Sequence, residues 1–243
     1  MMNSNLRTGA FKTKLLTALL GWLLLFCDPT RASLIGFQSK PAFNVATAGW
    51  TTGTTDFESA TPGNPYVAGP GFTLSLSGPD APFNTPTVGN QFWTTSGTNY
   101  LGLDNSDTAF EAGDALTFNF TTPVQSFGLY VIGGSDVSAG DISLVSGAYT
   151  VSNGATADLT DGNGSYAYFL GFVSNNSNSF NSVTLNDLTS DSTRLLAIDV
   201  DDVVLGSNSN SNQVPEPESP VLILMGLLVL TFTIRWRVQS KPC

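Results

Sequence analysis

The middle of the chain is written in short runs where apolar residues alternate with polar or small ones. FTLSLS (72–77), LTFNF (116–120) and FGLYV (127–131) keep a period of two, the spacing of a strand with one buried face. YFLGFV (168–173), VTLNDL (183–188) and LLAIDVDDVVL (195–205) are further strand candidates. Between the runs lie GPD, GNP, GGS, DGNG and NNSNS, all rich in turn-forming residues. No segment between 33 and 206 reads as a capped amphipathic helix. The pattern predicts an all-β fold, an antiparallel two-sheet sandwich of the jelly-roll kind spanning about 170 residues. The expected core is Phe72, Leu74, Leu116, Phe118, Phe120, Phe127, Leu129, Phe169, Phe172, Val183, Leu185 and Ile198.

The apolar pattern changes at both ends. Residues 15–26 (LLTALLGWLLLF) form a 12-residue apolar run behind Arg7, Lys12 and Lys14, with Thr30 and Ala32 as small residues before a cut. That order predicts a secretory signal peptide over 1–32. Cys27 also admits a lipoprotein signal, against which stands the bulk of Phe26 beside it. The sandwich is expected over 33–206, followed by a Ser/Asn-rich tether at 207–213 (SNSNSNQ). Residues 221–234 are uncharged, Trp236 extends the run, and Arg235, Arg237 and Lys241 follow. A bilayer crossing takes about 20 residues, so 221–236 is a marginal span whose positive end stays cytoplasmic. Pro215 and Pro217 stiffen the approach, and Glu216 remains hydrated outside.

Val214, Pro215, Glu216 and Pro217, then an apolar helix, then Arg235 and Arg237, resemble the PEP-CTERM sorting signal of Gram-negative bacteria, over residues 214–239. The resemblance implies recognition by exosortase, a membrane-embedded transpeptidase. The enzyme would cut near the triplet and pass the body to the outer envelope or the exopolysaccharide matrix. Glu218 departs from the small residue usual there. A plain single-pass anchor is the alternative. The body is similar, over short pieces only, to jelly rolls found upstream of such signals and to concanavalin-like sandwiches; Asp56-Phe57-Glu58 and Val200-Asp201-Asp202-Val203 carry that likeness.

Charge and composition narrow the chemistry. Between 33 and 212 there are two basic residues, Lys40 and Arg194, against 16 acids, a net charge of −14. Nucleic acid is therefore not an expected partner, because phosphate binding needs clustered Lys and Arg. The chain has no His, and its two Cys, Cys27 and Cys243, lie in the terminal segments. That removes imidazole and thiol catalysis and His/Cys zinc sites from the body.

Three candidate sites follow. If the first and last strands are neighbours, Asp56, Glu58, Asp201 and Asp202 approach one another, and a bound cation would relieve their repulsion. The likeness to related jelly rolls points to Glu58, Asp201 and Asp202 as ligands of a structural calcium; solvated strand-edge acids are the alternative. Asp104, Asp107, Asp161 and Asn163 sit in turns, where turn propensity alone accounts for them. Trp50 and Trp93, with Tyr100 and Tyr130, could stack on pyranose rings, although a sandwich also needs large aromatics in its core. Sixteen acids guarantee carboxylate pairs and so discriminate nothing about glycosidase activity. The expected function is a non-enzymatic exported surface or matrix protein, with a carbohydrate-binding module and a simple envelope protein as alternatives.

Overall fold

The computed structural model describes residues 33–78, 81, 84–103, 113–175, 178–187 and 198–208. The expected signal peptide, the sorting segment 214–239 with its apolar helix, and Asp104 and Asp107 lie outside them. Among the described residues no helix is long and apolar enough to cross a membrane.

The chain runs β1 (Leu34–Phe37), α1 (Lys40–Ala46), β2 (Thr51–Thr55), β3 (Ala68–Gly69), β4 (Phe72–Ser77), β5 (Pro86–Gly89), β6 (Tyr100–Leu103) and β7 (Ala115–Val124). It continues with β8 (Ser126–Gly133), β9 (Ile142–Ser146), β10 (Tyr149–Ser152), β11 (Leu159–Thr160), β12 (Tyr166–Ser174), β13 (Phe180–Asp187) and β14 (Asp199–Ser207). Two antiparallel sheets form. The larger has the order β1-β12-β8-β14-β6-β5, with β11 on β12 and β2 on β14; the smaller has the order β10-β9-β13-β7-β4-β3. The expected antiparallel two-sheet architecture is thus present.

Burial explains the two kinds of strand pattern. On β7, Leu116, Phe118 and Phe120 are buried. Thr117 and Asn119 face the other way and bond across the sheet, to Thr184 Oγ1 at 3.0 Å and Ser75 Oγ at 3.3 Å. The outer face of the smaller sheet is therefore polar, and its strands alternate. Strand β8 is buried at all eight positions, because the larger sheet is covered on both faces. The single buried face expected for FGLYV is thus corrected: both of its faces are covered.

Between the sheets, Phe72 meets Phe118 with ring centroids 5.4 Å apart, Phe118 meets Phe127 at 5.1 Å, and Phe127 meets Phe120 at 5.4 Å. The expected core residues lie here, with two exceptions. Leu74 is only partly buried, and Phe169 belongs to a second cluster on the outer face of the larger sheet. Tyr168 and Leu170 point inward, so Phe169 must point outward by strand alternation.

Helix α1 corrects the expectation of no helix. It has seven residues, Pro41 in its first turn and no side-chain cap bond, so tertiary packing holds it rather than its own sequence. Its buried residue, Phe43, rests on two glycines of the sheet. A Cβ on Gly171 would lie 3.0 Å from the Phe43 ring, and one on Gly128 would lie 3.4 Å from it. Phe43 also meets Phe37 at 5.9 Å and Phe169 at 5.1 Å. Phe43→Leu is expected to lower stability by about 1 kcal/mol, because a leucine fills the slot but loses the edge contacts. Urea unfolding of the two proteins checks this.

Candidate functional site

The distinctive place in the fold is a bulge in β14. Before it, Val200 pairs with Leu101 of β6; after it, Val203 through Ser207 pair with Thr55 through Thr51 of β2. The register against β8 also shifts between Asp201 and Val204, and Asp202 takes a left-handed φ of 50°. One extra residue in this stretch lets Val200 and Val203 both face the core while Asp201 and Val204 face outward.

The loop leading into β6 fills the gap where β14 changes neighbours. Asp201 Oδ2 accepts the backbone N–H of Thr95 and that of Ser96, both at 2.9 Å, and the Thr95 hydroxyl at 2.9 Å. Two residues on, Glu58 Oε1 accepts the N–H of Thr98 at 2.7 Å and of Asn99 at 2.6 Å. Asn99 Nδ2 donates back to the carbonyls of Phe57 and Ala60 at 3.2 and 3.1 Å. The Asp-Phe-Glu and Val-Asp-Asp-Val segments thus clamp one loop from two sides.

The first strand, β1, pairs with β12 and not with the last; the second, β2, is the one that lies beside β14. Asp201 and Asp202 meet at the Thr95 hydroxyl, 2.9 Å from one Oδ2 and 3.0 Å from the other, while Glu58 is engaged separately by Thr98 and Asn99. Glu58 and Asp201 face main-chain donors of the loop, and among the described residues no group of three or more His, Cys, Asp or Glu could hold a metal ion. Hydrogen bonds from Asn99 and Thr98 hold the Glu58 carboxyl below its usual range. Burial pushes Asp201 up to about 6, against the pull of the Ser96 and Thr95 donors. Asp199, whose Oδ1 lies 2.8 Å from where a Gly102 Cβ would be, is pushed up to about 7 by burial. Asp161 is a turn residue: its Oδ1 accepts the N–H of Asn163 at 2.7 Å and of Ser165 at 2.9 Å.

The clamped loop carries Trp93. Trp93, Trp50 and Phe37, each partly buried, pack against the outer cluster of Phe43, Tyr130, Ile132, Ala167, Phe169, Val173 and Val204. Two tryptophans distant in sequence therefore share one sheet face. Trp50 directly precedes β2, whose Thr51 lies opposite Ser207. Trp93 sits at the other end, two residues before the Asp201 contact. Of the tyrosines, Tyr130 is buried under Lys40 and meets Phe169 at 5.4 Å, and Tyr100 closes over Gly89 beside Phe92; both rings are taken.

Lys40 was visible in the sequence only as a rare charge. Its Nζ lies 5.0 Å from the Phe169 ring centroid and 5.7 Å from that of Tyr130, while its N–H donates to Asp158 Oδ2 at 2.8 Å. Burial lowers its pKa and Asp202 opposes this. Among the described residues it is the only basic one. Among the described residues the face offers two half-exposed indoles and several carboxylates, but no cation free of aromatic cover.

No family model matches the chain, and no curated protein matches it. Among solved structures, a cleaved adhesin domain of Lys-gingipain is similar at 15% identity and a TM-score of 0.42, covering 64% of this chain and 97% of that one. A family 29 carbohydrate-binding module is similar at 11% identity and a TM-score of 0.33, covering 65% and 94%. The catalytic domain of an alpha-1,3-glucanase is similar at 14% identity and a TM-score of 0.30, covering 61% of this chain and 31% of that one.

Proposed function

We propose that this is a non-enzymatic, exported surface or matrix protein whose sandwich holds polysaccharide. In this reading residues 1–32 direct export, and 221–236 hold the protein briefly in the inner membrane ahead of Arg235 and Arg237. Exosortase then acts at Val214, Pro215, Glu216 and Pro217 and delivers the body to the envelope or exopolysaccharide. The observation that carries the polysaccharide reading is the half-exposed pair Trp50 and Trp93 on one outer face. A core role alone would bury them, as it buries Phe43.

The body is read as a jelly roll. Strands β6, β14, β8 and β12 lie side by side in one sheet, and β7, β13, β9 and β10 in the other. Early and late strands interleave in both sheets, which supports that topology. Calcium has no part in the proposal, because the Glu58 and Asp201 oxygens accept loop N–H groups.

The sorting half is tested by mass spectrometry of the mature C-terminus. Loss of Trp236 from cells with a working sorting enzyme is the expected result. A mature chain that keeps Trp236 would instead mark a simple anchored envelope protein. The polysaccharide half is tested on a glycan array, where Trp93→Ala is expected to weaken binding about tenfold by removing one stacking surface.

A further inference from the structure

The half-exposed tryptophans stand at the two ends of a strand that is otherwise bare. Strand β2 reads TTGTT, four of its five residues are exposed, and among the described residues it pairs only with β14. Register fixes which way its side chains point. Thr54 lies opposite Val204, a member of the outer cluster, and Thr52 lies opposite Gly206; both therefore face outward, on the side of Trp50 and Trp93. Among the described residues neither hydroxyl has a hydrogen-bond partner. Gly206 places no side chain beside Thr52, so the strip stays flat there. A Cβ at Gly206 would come within 3.2 Å of the Thr52 methyl.

We propose that a neutral polysaccharide lies along β2, stacked on Trp50 at one end and Trp93 at the other, with the Thr52 and Thr54 hydroxyls beneath it. The inference rests on the polysaccharide reading above and adds to it the track and the charge class of the polymer. Five strand residues at ~3.3 Å each span about 16 Å, the length of roughly three pyranose rings in an extended chain. Hydroxyl groups that both donate and accept suit sugar hydroxyls, and the indole faces suit the apolar face of a ring.

Charge decides between polymers. Asp56 follows β2 directly and is exposed, as is Glu58, and Asp202 stands at the Trp93 end. Lys40, the only basic residue described, keeps its ammonium over the Phe169 and Tyr130 rings. Among the described residues a uronate, sulfate or phosphate polymer would meet carboxylates and find no guanidinium or free ammonium to pair with. A neutral chain meets no such penalty, and carboxylates accept hydroxyl protons well.

Affinity electrophoresis of the full chain in a neutral detergent tests this. One set of gels holds hydroxyethylcellulose, galactomannan or laminarin, and the other holds alginate or polygalacturonate. Retardation in at least one neutral gel, unchanged by added salt and absent from the anionic gels, is expected. Trp50→Ala, Trp93→Ala and Thr54→Arg should each weaken it tenfold or more. Thr54 is exposed, so Thr54→Arg blocks the track while the fold stands, which an unchanged melting curve verifies. Retardation by the anionic polymers alone would overturn the inference and leave the polysaccharide reading standing. So would neutral retardation that Thr54→Arg does not alter. Unretarded migration in every gel would overturn the polysaccharide reading itself.

Discussion

Asp199→Asn is expected to stabilise the protein at about pH 8 by roughly 2–3 kcal/mol. Asp199 lies on β14 opposite Ile132, beside Gly102 and Tyr100, and burial alone lifts its carboxyl to about 7. In the unfolded chain the same group titrates at about 3.9. The folded value is the higher one, so the folded state favours the protonated form. The penalty is absent below pH about 4, grows between about 4 and 7, and is complete above that range, where it reaches on the order of 4 kcal/mol. Asparagine removes the charge but leaves a half-buried amide, and the partial exposure of Asp199 also keeps the gain below that figure. Asp201, raised to about 6, acts in the same direction over a narrower window. Glu58 and Asp161, both lowered, act in the opposite direction, and their contribution fades only as pH falls below about 4. The unmodified protein should therefore melt higher at about pH 5 than at about pH 8, and Asp199→Asn should flatten that difference. Scanning calorimetry across this range decides; a melting temperature that falls between pH 8 and pH 5 would contradict the assignment.

The sequence announces strands wherever one face is wet. FTLSLS and LTFNF alternate because the outer face of the smaller sheet meets solvent, and both are strands in the structure. FGLYV reads as a strand with one buried face and YFLGFV as a further strand, yet both lie in strands covered on both faces. Phe169 is buried as expected, but in the second cluster and not between the sheets. Helix α1 left no signal, because seven residues with Val45 and Asn44 have little intrinsic helicity and exist by resting Phe43 on Gly128 and Gly171. The meeting of the Asp-Phe-Glu and Val-Asp-Asp-Val segments was legible in outline, although it is the second strand, β2, and not the first that lies beside β14. What fills their carboxylates was not. The Thr95, Ser96, Thr98 and Asn99 donors are backbone groups, and backbone donors have no letter in a sequence. The pairing of Trp50 with Trp93 depends on that same clamp, so it too became visible only in three dimensions.

Asp201→Ala is expected to lower stability by about 2 kcal/mol and to abolish the proposed polysaccharide retention together with it. The carboxylate is the acceptor for the Thr95 and Ser96 N–H groups and for their hydroxyls, and its own residue is wholly buried. Alanine strands two main-chain donors in the gap between β6 and β2. Relief from burying a charge offsets part of that cost, so the net loss is smaller than the sum of the lost bonds. Asp201→Asn separates the two terms. The amide keeps one acceptor oxygen for Oδ2's donors and carries no charge, so it should lose less than alanine at every pH, and least above about pH 6, where the unmodified carboxylate bears its burial penalty. The loop would respond more than the core: Glu58 still holds Thr98 and Asn99, but nothing then fixes Thr95 and Ser96, which follow Trp93 in the chain. Trp93 should therefore become more exposed, read as stronger acrylamide quenching of tryptophan fluorescence in Asp201→Ala that Trp93→Phe removes. Glu58→Ala, at the exposed end of the same clamp, should cost less, because water reaches the donors it leaves behind. If Asp201→Ala matched the unmodified protein in quenching and retention, the bulge of β14 would be a packing feature of the sheet and not the anchor that sets the face.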